Sequence, residues 1–171
     1  MDVAEATRRH RVIRRFADRP LEPDHLTEIL DAGRRAGSSK NQQRWAFVVV
    51  QDPEHRKELS TVGPFAGHVG GAAAAIALVT PNPRPGPNSI MWDLGGAAAE
   101  MMLRAWSLGI GSCPATVYEQ DRARAILGYP DDLWCEYVLS FGYPADPDDL
   151  TRAPKPGGRR PLDELVHRER W

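Results

Sequence analysis

The amino-acid sequence predicts a single domain of mixed α and β structure built around a small sheet. Three observations predict it. The 171 residues suit one compact domain, which at this size buries roughly 70% of the surface its unfolded chain exposes. The composition, 42% hydrophobic and 26% charged, is that of an ordinary globular protein and excludes a disordered or collagen-like chain. Segments of helical period alternate with three apolar runs, and there is no internal repeat.

The elements follow in chain order. Residues 2–15 predict a helix with an arginine-rich end. Arg19 to Asp24 is a turn, and Asp24 is placed to cap a helix running to about Ala36, with Leu26, Ile29, Leu30 and Gly33 on one stripe. Gly37 to Asn41 is a polar loop. Trp45 to Gln51 is an apolar run long enough for a buried strand, stopped by Asp52-Pro53. A short helix follows through Leu59. Gly70 to Thr80 ends in a second interior strand. Pro81 to Pro87 holds four prolines in seven residues and is a loop. The longest helical pattern is Met91 to Leu108, where Leu94, Ala97, Ala98, Met101, Met102, Ala105 and Leu108 recur at three- and four-residue steps. Its few charges predict burial on most sides. Gly109 to Ser112 closes it with a glycine cap. Asp121 to Leu127 is a short helix, and Trp134 to Phe141 is a third strand ended by Gly142-Tyr143-Pro144. A proline-rich tail completes the chain.

Charge and chemistry exclude several functions. The N-terminal residues are charged and lack the apolar core of a secretory signal. No run reaches the roughly 20 apolar residues that span a bilayer, so no membrane partner is expected. A cytoplasmic location is the default expectation. The net charge of −1 provides no field for nucleic acid. All but three of the 22 basic residues are arginine, whose planar fork suits phosphate. Cys113 and Cys135 form neither a redox pair nor a zinc set and are expected to be buried thiols. The five histidines have no ligand spacing, so no metal is expected and each is read as a surface residue. No nucleophile motif and no dinucleotide fingerprint is present.

Four local motifs remain. Arg11 and Arg14 lie three apart in His10 to Phe16, and on one face of a helix end they would clamp a phosphate or form a solvated arginine face. Ser38, Ser39, Asn41 and Gln43 place hydroxyls and carboxamides before a buried strand. They suit the edge of a heteroaromatic ring, or a loop that caps itself. Ser112 to Val117 contains no acid, base or ligand and has the composition of a loop. Lys155 to Leu162 carries Arg159 and Arg160 on a glycine-rich arm, a mobile clamp or a solvated basic tail.

Together the motifs resemble the FMN-dependent nitroreductase family, from about Arg8 to Trp171. The family's Arg-Arg-Ser-x-Arg-x-[Phe/Tyr] opening is matched by His10 to Phe16. Its Ser-x-x-Asn-x-Gln-Pro-Trp-x-Phe signature is matched by Ser38, Asn41, Gln43, Trp45 and Phe47, and its Asp-Leu-Gly helix by Asp93-Leu94-Gly95 through Leu103. Gly109 to Cys113, Gly142 to Pro144 and Arg159 to Leu162 fall in the family's order. The sequence departs from the pattern at His10, Val12, Arg44, Glu100 and Thr116, which stand for arginine, serine, proline, asparagine and, in some members, glutamate.

The resemblance implies an α+β fold, a central mixed β-sheet flanked by helices in an intertwined homodimer. Residues 1–171 would form one flavin-binding domain, with 145–171 as an arm wrapping the partner. It implies FMN at the dimer interface. Arg11, Arg14 and Arg159 would hold the phosphate and ribityl chain, and Ser38, Ser39, Asn41 and Gln43 would line the flavin or its ribityl. Pro114, Ala115 and Thr116 would approach the ring. NADH or NADPH would be the reductant, and a nitroaromatic, quinone or similar electron-poor small molecule the acceptor, binding alternately. FMN carries such chemistry, so no catalytic side chain is required. The alternatives are another flavin reaction on the same fold (dehalogenation, enone reduction or flavin fragmentation) or a non-catalytic flavin or ligand carrier.

Overall fold

A four-stranded sheet with apolar layers on both faces organises the protein in the computed structural model, which describes residues 2–84, 86–153 and 158–171. The strands are β1 (Ala46–Val50), β2 (Ala74–Pro81), β3 (Gly111–Thr116) and β4 (Leu133–Gly142), in the order β1-β2-β4-β3. All neighbouring strands pair antiparallel; the parallel component of the mixed arrangement is a single bridge between Val12 and Ser112. The helices are α1 (Val3–Arg9), α2 (Pro23–Arg35), α3 (Pro53–Leu59), α4 (Ser89–Ser107) and α5 (Gln120–Leu127).

Strand β2 shows why its sequence is apolar without alternation. Ala74, Ile76 and Leu78 face a core shared with Ile29, Leu94, Met101 and Leu139, under α2 and α4. Ala75, Ala77 and Val79 face the opposite core with Leu59, Val62, Val69, Ala123 and Val138, under α3 and α5. A strand between two covered faces has no solvent side to code for. Ile29 and Gly33 of the predicted α2 stripe are buried, and Gly33 lies against Met101 of α4. The cap of α2 is not Asp24: Pro23 occupies the first turn after Glu22, and Asp24 stands inside that turn. Helix α4 ends as predicted. Gly109 has φ +76°, its N–H reaches Trp106 O at 3.1 Å, and Ile110 N–H reaches Ala105 O at 2.9 Å.

Three expectations are corrected. Helix α1 stops at Arg9, and residues 10–16 run extended along the sheet. Ile13 N–H donates to Ser112 O at 2.9 Å, and Phe16 bridges Pro144. The β-branched pair Val12-Ile13 favours this extended course over a helix. The segment Ser112 to Val117 contains a strand rather than a loop. Its Pro114, a poor strand former, sits in an outer strand of the four, where a missing N–H is tolerated. Helix α4 is buried along one side only: Trp92 is 84% exposed, and Gly95, Gly96, Ala99 and Glu100 share the open side. Both cysteines are buried free thiols. Among the described residues, no helix is long and apolar enough to cross a membrane.

Residues 10–16 approach the sheet closely because two strand positions lack a side chain. A Cβ on Gly111 would lie 2.8 Å from Ile13 Cβ, and one on Gly142 would lie 2.8 Å from the Phe16 ring. Gly111→Ala should therefore destabilise the protein by about 1–3 kcal/mol, the usual cost of overpacking. Urea denaturation measures this, and an unchanged midpoint would mean that Ile13 does not lie on the strand.

Candidate functional site

The extended course of residues 10–16 separates the two arginines that a helix would have aligned. Positions 11 and 14 differ by an odd number, so an extended chain sends them to opposite sides. Arg14 lines a cleft of about 500 Å³ with Pro64, Phe65, Gly67, His68 and Pro114. Arg11 turns away and donates to the carbonyls of Arg152 and Arg9. Arg159 is exposed, and its hydrogen bond is to the neighbouring Gly158 carbonyl. Lys155, Pro156 and Gly157 of the same motif lie outside the described residues.

The cleft floor is built by β3, with β4 behind it. Ser112, Cys113 and Ala115 are buried, whereas Pro114 is exposed into the cleft, and Thr116 follows two positions on along the same strand face. Behind them lies a polar chain. His68 Nδ1 is 2.8 Å from the Ser140 hydroxyl, which is fully buried and donates to Cys113 O at 3.1 Å. Burial lowers the His68 pKa, and the Arg14 charge lowers it further, against the opposing pull of the Pro114 backbone. Burial also raises the Cys113 thiol pKa, with Arg14 opposing, so the thiol is uncharged at neutral pH. No carboxylate lines the cleft, and Arg14 makes no ion pair among the described residues. The surroundings are therefore cationic, with an apolar wall of Phe65, Pro64 and Pro114.

The Ser38–Gln43 loop is not part of this cleft. Ser38 Oγ accepts from Gln43 N–H at 3.0 Å, and the Gln43 amide donates to Asn41 Oδ1 at 3.0 Å. Ser39 N–H donates at 2.9 Å to Asp93 Oδ2, a buried carboxylate on α4. The loop thus caps itself, and it holds Lys40, Asn41 and Gln43 at φ of 54°, 54° and 48°, a conformation that side chains disfavour. Gln43 lines a separate depression with Trp45, Phe47 and Leu30. One chain therefore gathers Arg14 and Pro114 in a single cleft, and leaves Ser38, Ser39, Asn41 and Gln43 elsewhere.

Sequence reasoning missed His68, Phe65 and Ser140. His68 is half-buried in the turn Gly67–Val69, not on the surface. The usable signal was Ser140, one hydroxyl in the apolar run Val138 to Phe141, because a buried hydroxyl requires a partner. His10 is also half-buried. It stacks edge-on against Trp106 at 5.6 Å, its Nε2 has no partner, and burial lowers its pKa.

The profile of the Nitroreductase family matches residues 7–62 and 64–143. The chain belongs to the nitroreductase family. Within it, this chain is 34% identical over 168 residues to a protein of Archaeoglobus fulgidus provisionally named NADH dehydrogenase/NAD(P)H nitroreductase, covering 94% of both chains. It is 26% identical over 191 residues to an FMN reductase [NAD(P)H] of Bacillus subtilis, covering 99% of this chain and 74% of that one. Its fold matches an FMN-dependent nitroreductase structure from Clostridium difficile with a TM-score of 0.85, at 25% identity over 99% of this chain and 100% of the other.

The histidines predict how stability depends on pH. The folded protein resists protonation of His10 and His68, whereas the unfolded chain protonates both near the ordinary value of about 6.5. Their contribution is complete above that value and is lost as pH falls through it toward the lowered folded values. The denaturation midpoint should drop between about pH 7.5 and about pH 5.5, and less steeply in His68→Gln. A profile identical in wild type and variant would place His68 outside this balance.

Proposed function

We propose that this protein is an FMN-dependent oxidoreductase that passes electrons from NADH or NADPH to an electron-poor acceptor such as a nitroaromatic or quinone. The observation that carries the reading is the cleft itself. It joins an arginine with no acidic partner to an apolar, aromatic wall, in a family whose relatives are named for FMN and NAD(P)H. Its volume of about 500 Å³ falls inside the range of cofactor sites, roughly 300–1,000 Å³. A cationic end and a flat apolar body suit a phosphorylated planar ring, and the Ser112 hydroxyl on the floor strand is buried without a partner. FMN, when bound, would supply the electron chemistry between the nicotinamide and the acceptor.

The chain's own residues bind and orient. Arg14 holds the phosphate by charge-assisted hydrogen bonds. Arg159 assists it once its side chain leaves the Gly158 carbonyl, whereas Arg11, on the opposite side of the extended segment, is left to the ribityl side only if it leaves the Arg152 and Arg9 carbonyls. The Pro114–Thr116 backbone borders the ring, and Thr116 brings no charge to it. His10 and Val12 supply no phosphate donor, since His10 is packed on Trp106 and Val12 is apolar. Most of the phosphate affinity therefore falls on Arg14.

The second half of the site comes from another copy. Ser38, Ser39, Asn41 and Gln43 would reach the flavin from a partner chain, since in their own chain they lie away from Arg14. The open side of α4 offers the contact, with Trp92 exposed and Gly95 and Gly96 clear of any neighbour within 4 Å. Leu162, Leu165, Val166 and Trp171 are exposed on the C-terminal arm and gain burial by wrapping the partner.

Reconstituted protein should hold FMN, bleach with NADH or NADPH and regain colour with a nitroarene. Recovery of FAD, or no flavin after reconstitution, would refute the reading. Arg14→Ala should weaken FMN about ten- to a hundredfold, the loss of a charge-assisted pair of about 1.5–3 kcal/mol. Unchanged affinity by titration would leave Arg14 a merely solvated cation. Light scattering of the FMN-loaded protein should give a dimer mass, with Trp92→Glu shifting it toward the monomer; a monomeric wild type would refute the shared site.

A further inference from the structure

We propose that His68 is the protonatable partner of Arg14 in this cleft, so that entry of an anionic ligand between them draws a proton from solvent onto His68 Nε2. The ligand is FMN in the reading above, on which this inference rests.

The hydrogen bonds determine which nitrogen is free. Ser140 has one hydroxyl proton, and it is directed to Cys113 O. The hydroxyl therefore offers His68 a lone pair, and Nδ1 must be the ring's N–H at 2.8 Å. The neutral ring then carries no proton on Nε2, and the Pro114 backbone nearby favours the protonated form of the ring. Protonation at Nε2 adds a second N–H to the ring and leaves the Ser140 bond intact. The buried hydroxyl thus fixes both the ring and the site of proton entry.

Two effects keep that nitrogen bare before a ligand binds, and one of them is reversible. Burial disfavours the imidazolium, and Arg14 adds a like charge from residues 10–16. Among the described residues, no other charge offsets them. Strand β3 presents the uncharged Cys113 thiol, and β4 presents Ser140. The turn also packs on α3, whose charges are engaged elsewhere. Arg56 donates to the Gln51 and Ala73 carbonyls, His55 meets the Ile126 carbonyl, Lys57 pairs with Glu54, and Glu58 is exposed. A phosphate beside Arg14 cancels its repulsion and adds an attraction of its own, so the imidazolium becomes favourable. Atoms and charge balance without redox: one N–H bond forms at Nε2, and one proton leaves the buffer.

The test is FMN titration into protein freed of flavin, by calorimetry in two buffers of different ionisation heat. Wild type should take up a fraction of a proton that His68→Gln does not, with the difference growing as pH falls toward about 6.5. The FMN phosphate titrates near pH 6, but that proton is common to both proteins and cancels in the comparison. FMN affinity in wild type should gain up to about tenfold for each unit by which the histidine pKa rises on binding. A second measurement needs no variant. Among the five histidine ring signals in wild-type NMR, one should move its titration to higher pH when FMN is added. Binding with equal proton uptake in both proteins, or with no ring signal moved, overturns this inference and leaves the flavin reading standing. No FMN binding at all overturns the flavin reading and this inference with it.

Discussion

The hydrogen bond from Ile13 N–H to Ser112 O carries the placement of the whole cleft. It fastens residues 10–16 to the outer edge of β3, and Gly111 and Gly142 let Ile13 and Phe16 lie on the strands at van der Waals distance. With Ile13 buried against the sheet, alternation turns Arg14 outward over the Pro114 end of β3. Had the same residues continued as a helix, Arg11 and Arg14 would share a face, and the strand edge would stay open. The glycines therefore do more than permit a close approach: they decide which arginine enters the cleft.

The second constraint is the buried polar chain under that cleft. A histidine, a serine hydroxyl and a main-chain carbonyl are satisfied in series, from the turn at Gly67–Val69 through β4 to β3. Buried polar groups left unpaired cost about 1–3 kcal/mol each, so the chain ties three elements together at that expense if any link fails. Arg14 closes the set by acting on both His68 and Cys113. The cleft is thus cationic by construction and held rigidly from behind, while its aromatic wall at Phe65 stays exposed and meets Tyr118 edge-on at 6.5 Å.

Much of the fold was legible because it rests on periodicity. β1, β2 and β4 are apolar runs, α2 and α4 carry apolar stripes, and Gly109 caps α4 by the expected bonds. β3 was hidden for a physical reason. Gly111, Ser112 and Pro114 are poor strand formers, and they are tolerated because the strand lies at an edge and accommodates Ile13 at close range. The extended course of 10–16 was hidden because its three arginines suit a helix and outnumber the β-branched pair Val12-Ile13, and pairing with the sheet overrode that local preference. Of the candidate site, Arg14 and Pro114 were found through motif resemblance and share the cleft. His68 was not found, because nothing local marks a histidine whose partner is 72 residues away.

In the proposed function the Ser38–Gln43 loop reaches the flavin of a second copy, and its own chain already holds it in shape. Its side chains are consumed in holding three residues at positive φ, and Asp93 is buried to anchor Ser39. Strain of this kind costs of order 1–3 kcal/mol per residue and persists only where surrounding structure enforces it. A loop that merely joined α2 to β1 could avoid the cost with a glycine at any of the three positions. In its own chain its Gln43 borders the depression at Trp45, away from the Arg14 cleft. The adjoining helix α4 anchors the loop through Asp93 and also carries the unpartnered Trp92 and the bare Gly95–Gly96 surface. A second copy seated on α4 would therefore meet a loop already held in shape, and the entropy of ordering it would be lost at folding rather than at flavin binding.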